Sequence, residues 1–172
     1  MTKANREYPL YRETQHFRQL WLWALVLFIA LLSLYGAFQQ LILEKPFGSN
    51  PAPDSVMVVL AVIFGIFLPL FIYKTNLTTE VRSDGLYVRY FPFHLSFFRM
   101  ADQEIIRYEV CTYSPIRDYG GWGIRFGRKG KAYNVSGNRG VRFELLNRKH
   151  LLIGSQKPEE LAEALNLAMS KR

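Results

Sequence analysis

The chain has 172 residues, a net charge of +8 at pH 7 and a mean hydropathy of −0.01. That length is about one domain, and the near-zero hydropathy averages two unlike halves, so it excludes neither a membrane segment nor a soluble one. A single cysteine, Cys111, excludes an internal disulfide and fits a reducing compartment.

Residues 1–19 form a tail in which Lys3, Arg6, Arg12 and Arg18 face only Glu7 and Glu13. Pro9 confines any helix to the residues after it, and Phe17 and Trp21 are four apart, so an interfacial helix feeding the next segment is expected. His16 has no second metal-type residue one turn away and reads as solvated.

Two uncharged apolar runs follow, Leu20–Leu43 and Val56–Tyr73. Each approaches the roughly 20 helical residues that a bilayer's hydrocarbon core requires. The first is too long for a signal-peptide core and no small-residue cleavage site follows it, so residues 20–73 are predicted to be a retained transmembrane helical hairpin. Trp21, Trp23 and Tyr73 are expected in the headgroup layer. Pro69 is expected to bend the second run. Ser33, Gly36 and Ala37 on one helix, and Ala61 and Gly65 on the other, are small enough for close packing within the hairpin or against another protein. Neither run contains Asp, Glu, Lys, Arg or His, which argues against an ion or proton path. Basic residues near helix ends favour the cytoplasmic side, so both termini are expected there, in an inner or plasma membrane, with residues 44–55 outside.

From residue 74 the pattern alternates. Leu77–Val81, the Asp84-Gly85 turn and Leu86–Tyr90 read as a β-hairpin. Further strands are predicted within Leu95–Met100, Glu104–Tyr113, Trp122–Phe126, Lys131–Ser136, Val141–Leu146 and His150–Gly154, the turn before the last spanning Asn147–Lys149. A helix is predicted from Pro158, with Glu159 and Glu160 in its first turn, an apolar stripe of Leu161, Ala164, Leu165, Ala168 and Met169, and Lys171 and Arg172 at its end. The fold class is therefore α+β: a membrane hairpin, then a barrel or sandwich of about seven antiparallel strands over residues 74–172, capped by a C-terminal helix.

The densest charge lies in Arg125–Lys149, a net of +7 with Glu144 as the sole acid. Near an anionic leaflet each well-placed cation contributes roughly 1 kcal/mol. Arg125, Arg128, Lys129, Lys131, Arg139 and Arg142 are the candidate contacts for lipid headgroups or an acidic partner. Gly121–Gly127 lacks the spacing of a nucleotide loop, and no helix follows it. Trp122 reads as core or rim packing. His94, His150 and Cys111 show no metal spacing, and Ser136 and Ser155 belong to no nucleophile motif. No cofactor, metal or catalytic residue is expected, and a membrane tether makes lipid a simpler explanation of the basic charge than nucleic acid. The glycosylation-like triplets at Asn76 and Asn134 are chance matches in a cytoplasmic domain.

Four blocks, Thr79–Val88, Gly120–Arg125, Ala132–Val141 and Leu152–Leu161, together with the preceding hairpin, resemble the bacterial membrane-anchored pleckstrin-homology-like (PH-like) domain proteins, mostly of unassigned function. The resemblance implies a cytoplasmic scaffold or accessory domain, with no agreed ligand and no catalytic residues to carry over. The expected function is a membrane-anchored binding or scaffold module engaging a membrane protein partner or anionic headgroups. The alternatives are an accessory subunit packed through its helices and, third, an enzyme whose pocket the linear sequence conceals. Protease added to sealed, right-side-out cells should leave the chain beyond residue 74 intact; digestion there would reverse the expected topology.

Overall fold

The computed structural model describes residues 8–127, 129–146 and 148–170. Its contacts divide into two units, Phe17–Thr75 on one hand and Met1–His16 with Asn76–Arg172 on the other.

The helical unit holds two helices, Leu20–Leu41 and Asp54–Lys74, both long and apolar enough to cross a membrane. Val26, Ala30, Gly36 and Ala37 of the first and Met57 and Ala61 of the second are buried between them, while most of the larger Leu, Val, Ile and Phe side chains point outward. A helix that is apolar on its outward face too needs lipid or another apolar surface around it. Residues Ala61–Phe67 form a π-helical stretch, where the Leu68 N–H reaches back to the Ile63 carbonyl. The widened turn sits just ahead of Pro69, which has no N–H to offer the carbonyl four residues back and whose ring crowds it. Gln39 and Gln40 hold the connecting loop at the end of the first helix. Gln39 Nε2 donates to the Pro46 carbonyl, and Gln40 Nε2 donates to the Ala52 carbonyl and to Asp54 Oδ1.

The second unit is built of two sheets. The first, in the order β1-β2-β3-β4, comprises Tyr11–His16, Asn76–Arg82, Gly85–Phe91 and Phe98–Ala101, all antiparallel. The second, in the order β5-β8-β9-β7-β6, comprises Ile105–Thr112 (β5), Gly123–Gly127 (β6), Gly130–Asn134 (β7), Arg139–Leu145 (β8) and His150–Gly154 (β9). At the β2–β3 turn Gly85 has φ of +141°, and a Cβ there would lie 2.4 Å from the Met100 carbonyl oxygen, so the Asp84-Gly85 signal reflects a steric requirement. Leu77, Val81, Leu86, Val88 and Tyr90 of the first sheet and Val141, Phe143 and Ile153 of the second are buried. The C-terminal helix, Pro158–Ser170, buries Leu161, Ala164, Leu165 and Ala168 and packs on strands of both sheets, with Met169 half-buried.

Several expectations are corrected. The tail from Tyr11 to His16 is a strand, not an interfacial helix: it takes the edge of the first sheet, pairing from Tyr11 opposite Val81 to His16 opposite Asn76. Its inward positions are Tyr11, Glu13 and Gln15, so hydrogen bonds rather than apolar contacts hold it. The sheets do not close into a barrel: β1 and β4 edge one, and β5 and β6 edge the other. There are nine strands among the described residues, and β7 pairs with β9 in parallel, because β8 lies on the far side of β9. Between the strands predicted within Glu104–Tyr113 and Trp122–Phe126 lies a short helix, Pro115–Tyr119. Ser114 caps it, Pro115 opens it and Gly120 at φ of +74° ends it. That helix covers Ala132 and Leu152 with Tyr113 and Tyr119, a small second core that Cys111 adjoins.

A partly buried polar clasp fixes β1. Glu13 Oε2 accepts from the Tyr11 hydroxyl at 2.7 Å and from the Ser155 hydroxyl at 2.7 Å, and its Oε1 accepts from the Gln156 N–H at 2.8 Å. Gln15 Nε2 donates to the Gly154 carbonyl at 2.7 Å, and Ser155 Oγ accepts from the Lys157 N–H at 2.9 Å. Burial pushes the Tyr11 phenol well above its ordinary range, and the Glu13 carboxylate adds to this, so Tyr11 remains a donor. The tail strand is thereby tied to the segment that enters the C-terminal helix. Glu13→Ala removes the acceptor of three donors and should cost about 2 kcal/mol, read as a lowered unfolding midpoint of the full chain in detergent. Leu161→Ala, at a fully buried position, should cost about 3 kcal/mol, whereas Leu167→Ala at an exposed one should leave the midpoint nearly unchanged.

Candidate functional site

The described basic candidates meet carboxylates, a backbone carbonyl or aromatic rings. Arg139 pairs with Glu159 of the C-terminal helix, Arg142 with Glu109 of β5 at 3.2 Å, and Lys129 with Asp118 of the short helix at 3.1 Å. Arg125 donates through Nε to the Trp122 carbonyl at 2.8 Å. Lys131 lies over two aromatic rings, 5.3 Å from the Phe126 centroid and 4.6 Å from that of Tyr133. Arg128 and Asn147 fall outside the described residues, as do Lys3, Arg6, Glu7, Lys171 and Arg172. The carboxylates that meet the Arg125–Lys149 window come from elsewhere in the chain.

The membrane-segment candidates divide differently. Gly36 and Ala37 lie in the helix seam: a Cβ on Gly36 would sit 3.0 Å from both Met57 and Phe47 side-chain atoms. Gly65 faces Leu34 as closely, and Ala61 is buried. Ser33 turns to its own helix, donating to the Ala30 carbonyl at 2.9 Å. Val26, Ala30 and Met57 share the seam and were not singled out in the sequence, although Val26, Ala30 and Ala37 fall at helical spacing on one face. Trp23 Nε1 donates to the Phe17 carbonyl, Trp21 is exposed, and the Lys74 ammonium lies 5.8 Å from the centroid of the exposed Tyr73 ring.

What the fold does bring together is an aromatic and basic corner. β3 ends at Phe91, and a loop through Pro92–Phe97, with a cis peptide at Phe91–Pro92, returns to β4. Tyr90 stacks near Tyr133 of β7 (centroids 6.4 Å apart), Phe93 packs on Tyr90, and His94 meets Tyr133 edge-on at 5.6 Å. The loop therefore abuts the β6–β7 hairpin, where Lys131 bridges Phe126 and Tyr133. Phe93, Leu95 and Phe126 are 62, 79 and 78 % exposed, unusually open for such side chains. Sequence reasoning passed over this corner; its signal is the run Phe91-Pro-Phe-His-Leu-Ser-Phe-Phe98, too aromatic for a solvated turn.

Burial, and then the Lys131 charge, holds His94 below the ordinary imidazole range. Burial pushes the Cys111 thiol up, which suppresses its thiolate at neutral pH. The Trp122 indole donates to the Gly137 carbonyl, and Asn134, fully buried, accepts from the Gly123 N–H, so the triplet at Asn134 is closed to glycosylation in the folded domain. Among the described residues no group of three or more His, Cys, Asp or Glu side chains is placed to hold a metal ion.

A family model for a family of unknown function (DUF6141) matches residues 4–171. The chain belongs to this family. The match takes in the tail strand, both apolar helices and the C-terminal helix, so the family is defined over the whole arrangement and not over the β-domain alone. No curated protein and no solved structure matches the chain.

His94 yields a pH test. Its folded value lies below its unfolded one, so the unfolded chain binds the extra proton and stability falls as the pH drops through and below the ordinary histidine range. An NMR titration should show His94 protonating below that range, and Lys131→Ala should move it upward.

Proposed function

We propose that this protein is a membrane-anchored interaction module: a PH-like β-domain held at the bilayer by a transmembrane helical hairpin, on the cytoplasmic side, and engaging a membrane protein partner or anionic lipid headgroups. The observation that carries this reading is the pairing of β1 with β2. The strand before the first apolar helix and the strand after the second lie side by side, His16 opposite Asn76. A chain that leaves the sheet and returns to the neighbouring strand would cross a bilayer an even number of times, which suits two spans and supports a tail and β-domain on one side. The β-domain is also joined to the helical segment through two adjacent strands, β1 and β2.

The PH-like description is supported by two packed sheets with a C-terminal helix lying across both, and by the four sequence blocks that resemble that family. The extra edge strand and the parallel β7–β9 pair depart from the simple seven-strand plan.

Of the basic residues, Arg125 and Lys131 are the preferred acidic-ligand contacts, since Lys129, Arg139 and Arg142 already meet carboxylates. The accessory-subunit reading draws on the outward apolar faces of both helices. One purification separates the two. Tagged full-length protein is recovered from native membranes in mild detergent, as wild type and as Arg125→Glu/Lys131→Glu. Under the proposed function, whatever co-purifies, acidic lipid or protein, is depleted in the double variant, and wild-type recovery falls with added salt. A stoichiometric partner that survives both charge reversal and salt would transfer the function to the helices.

A further inference from the structure

We infer that the Phe91–Phe98 loop and the tip of the β6–β7 hairpin form a second membrane contact: Phe93, Leu95 and Phe126 enter the interfacial layer of an anionic bilayer, and Lys131 meets lipid phosphates behind them. This deepens the proposed function and rests on its membrane anchor.

Three observations converge on it. The first is position. Asn76, the first residue of β2, pairs with Phe91, the last of β3, so the loop leaves the sheet at the end where the chain passes to the second apolar helix. His16, the last residue of β1, pairs with the same Asn76 just before the chain enters the first helix. Tyr73 and Lys74 sit at the end of the second helix. Only Lys74 and Thr75 separate Tyr73 from Asn76 in the chain, so the loop is rooted at the strand end that leads into the second apolar helix.

The second is chemistry. Phe93, Leu95 and Phe126 are among the most exposed large apolar side chains of the β-domain, and they come from two separate elements that Tyr133 holds side by side. Aromatic and aliphatic tips over a basic base are the composition of an interfacial membrane contact, which sinks about 5–10 Å into the headgroup boundary.

The third is charge. Lys131 lies against the Phe126 and Tyr133 rings with no carboxylate among its contacts described here, in contrast to Lys129, Arg139 and Arg142. His94, at the base of the same loop, is held neutral by burial and by that ammonium. The corner thus presents positive charge beside apolar surface, complementary to an anionic leaflet.

Depth-dependent quenching tests this in the full chain. In a Cys111→Ser background, single cysteines are placed at Leu95→Cys in the loop, at Ser83→Cys in the β2–β3 turn at the far end of the same sheet, and at Ile66→Cys in the second apolar helix. Each is labelled with a fluorophore and the protein is reconstituted into vesicles of phosphatidylglycerol and phosphatidylcholine carrying a lipid-attached quencher. The expected result is strong lipid quenching at Ile66→Cys, severalfold more lipid quenching and less iodide quenching at Leu95→Cys than at Ser83→Cys, and partial loss of that difference with Lys131→Glu or in vesicles of phosphatidylcholine alone. Leu95→Cys matching Ser83→Cys while Ile66→Cys is quenched would overturn the second contact and leave the anchor standing. Failure of quenching at Ile66→Cys would instead remove the anchor itself. A Leu95 label shielded from iodide in native membranes but open in pure-lipid vesicles would assign the corner to a protein and overturn the lipid contact.

Discussion

The pairing of β1 with β2 is the constraint on which the rest of the structure depends. It draws into one sheet two pieces of chain separated by the whole helical unit, and Glu13 then fastens that sheet to Ser155 and Gln156 at the entrance to the C-terminal helix. Because β1 occupies the edge, β2 becomes a central strand and is buried along most of its length, charged Glu80 included. Glu80 is tolerated there because Arg82 at 2.6 Å and Arg12, from β1 itself, neutralise it. Taking one partner away from a buried charge costs more than the pair contributes, so the edge strand and the ion pair support one another.

Charge in this chain has to be read in space. Along the sequence Arg125–Lys149 is a nearly pure block of cations, yet the fold brings Asp118, Glu109 and Glu159 to three of them from one strand and two helices. Strand pairing decides this, since Glu109 and Arg142 face each other in the β5–β8 ladder. Lys131, by contrast, has the Phe126 and Tyr133 rings as neighbours.

The sequence made legible those elements whose cause is local. The apolar helices were placed within a few residues, because uncharged length alone defines them. The Asp84-Gly85 hairpin, most strand positions and the stripe of the C-terminal helix followed from steric and periodic signals carried by neighbouring residues. What escaped depends on distant partners. β1 shows one apolar residue facing inward, and its other inward positions, Glu13 and Gln15, become intelligible once Gly154, Ser155 and Gln156 are beside them. The parallel β7–β9 pair depends on strand order, which alternation does not encode. The short helix at Pro115 did carry a local signal, Ser114-Pro115 before and Gly120 after. The aromatic corner lay in plain view as composition, but its meaning required knowing that Phe91 pairs with Asn76.

The split origin of the first sheet also orders events at the ribosome. β1 emerges before either apolar helix, and its partner strand is translated after both. In the membrane-anchored reading, the edge of the sheet has to wait, unpaired, while the hairpin is handed to the insertion machinery, and it can dock only if both helices come to rest so that the two strands meet. In that reading a chain with a misplaced helix would leave the β2 edge without its partner strand.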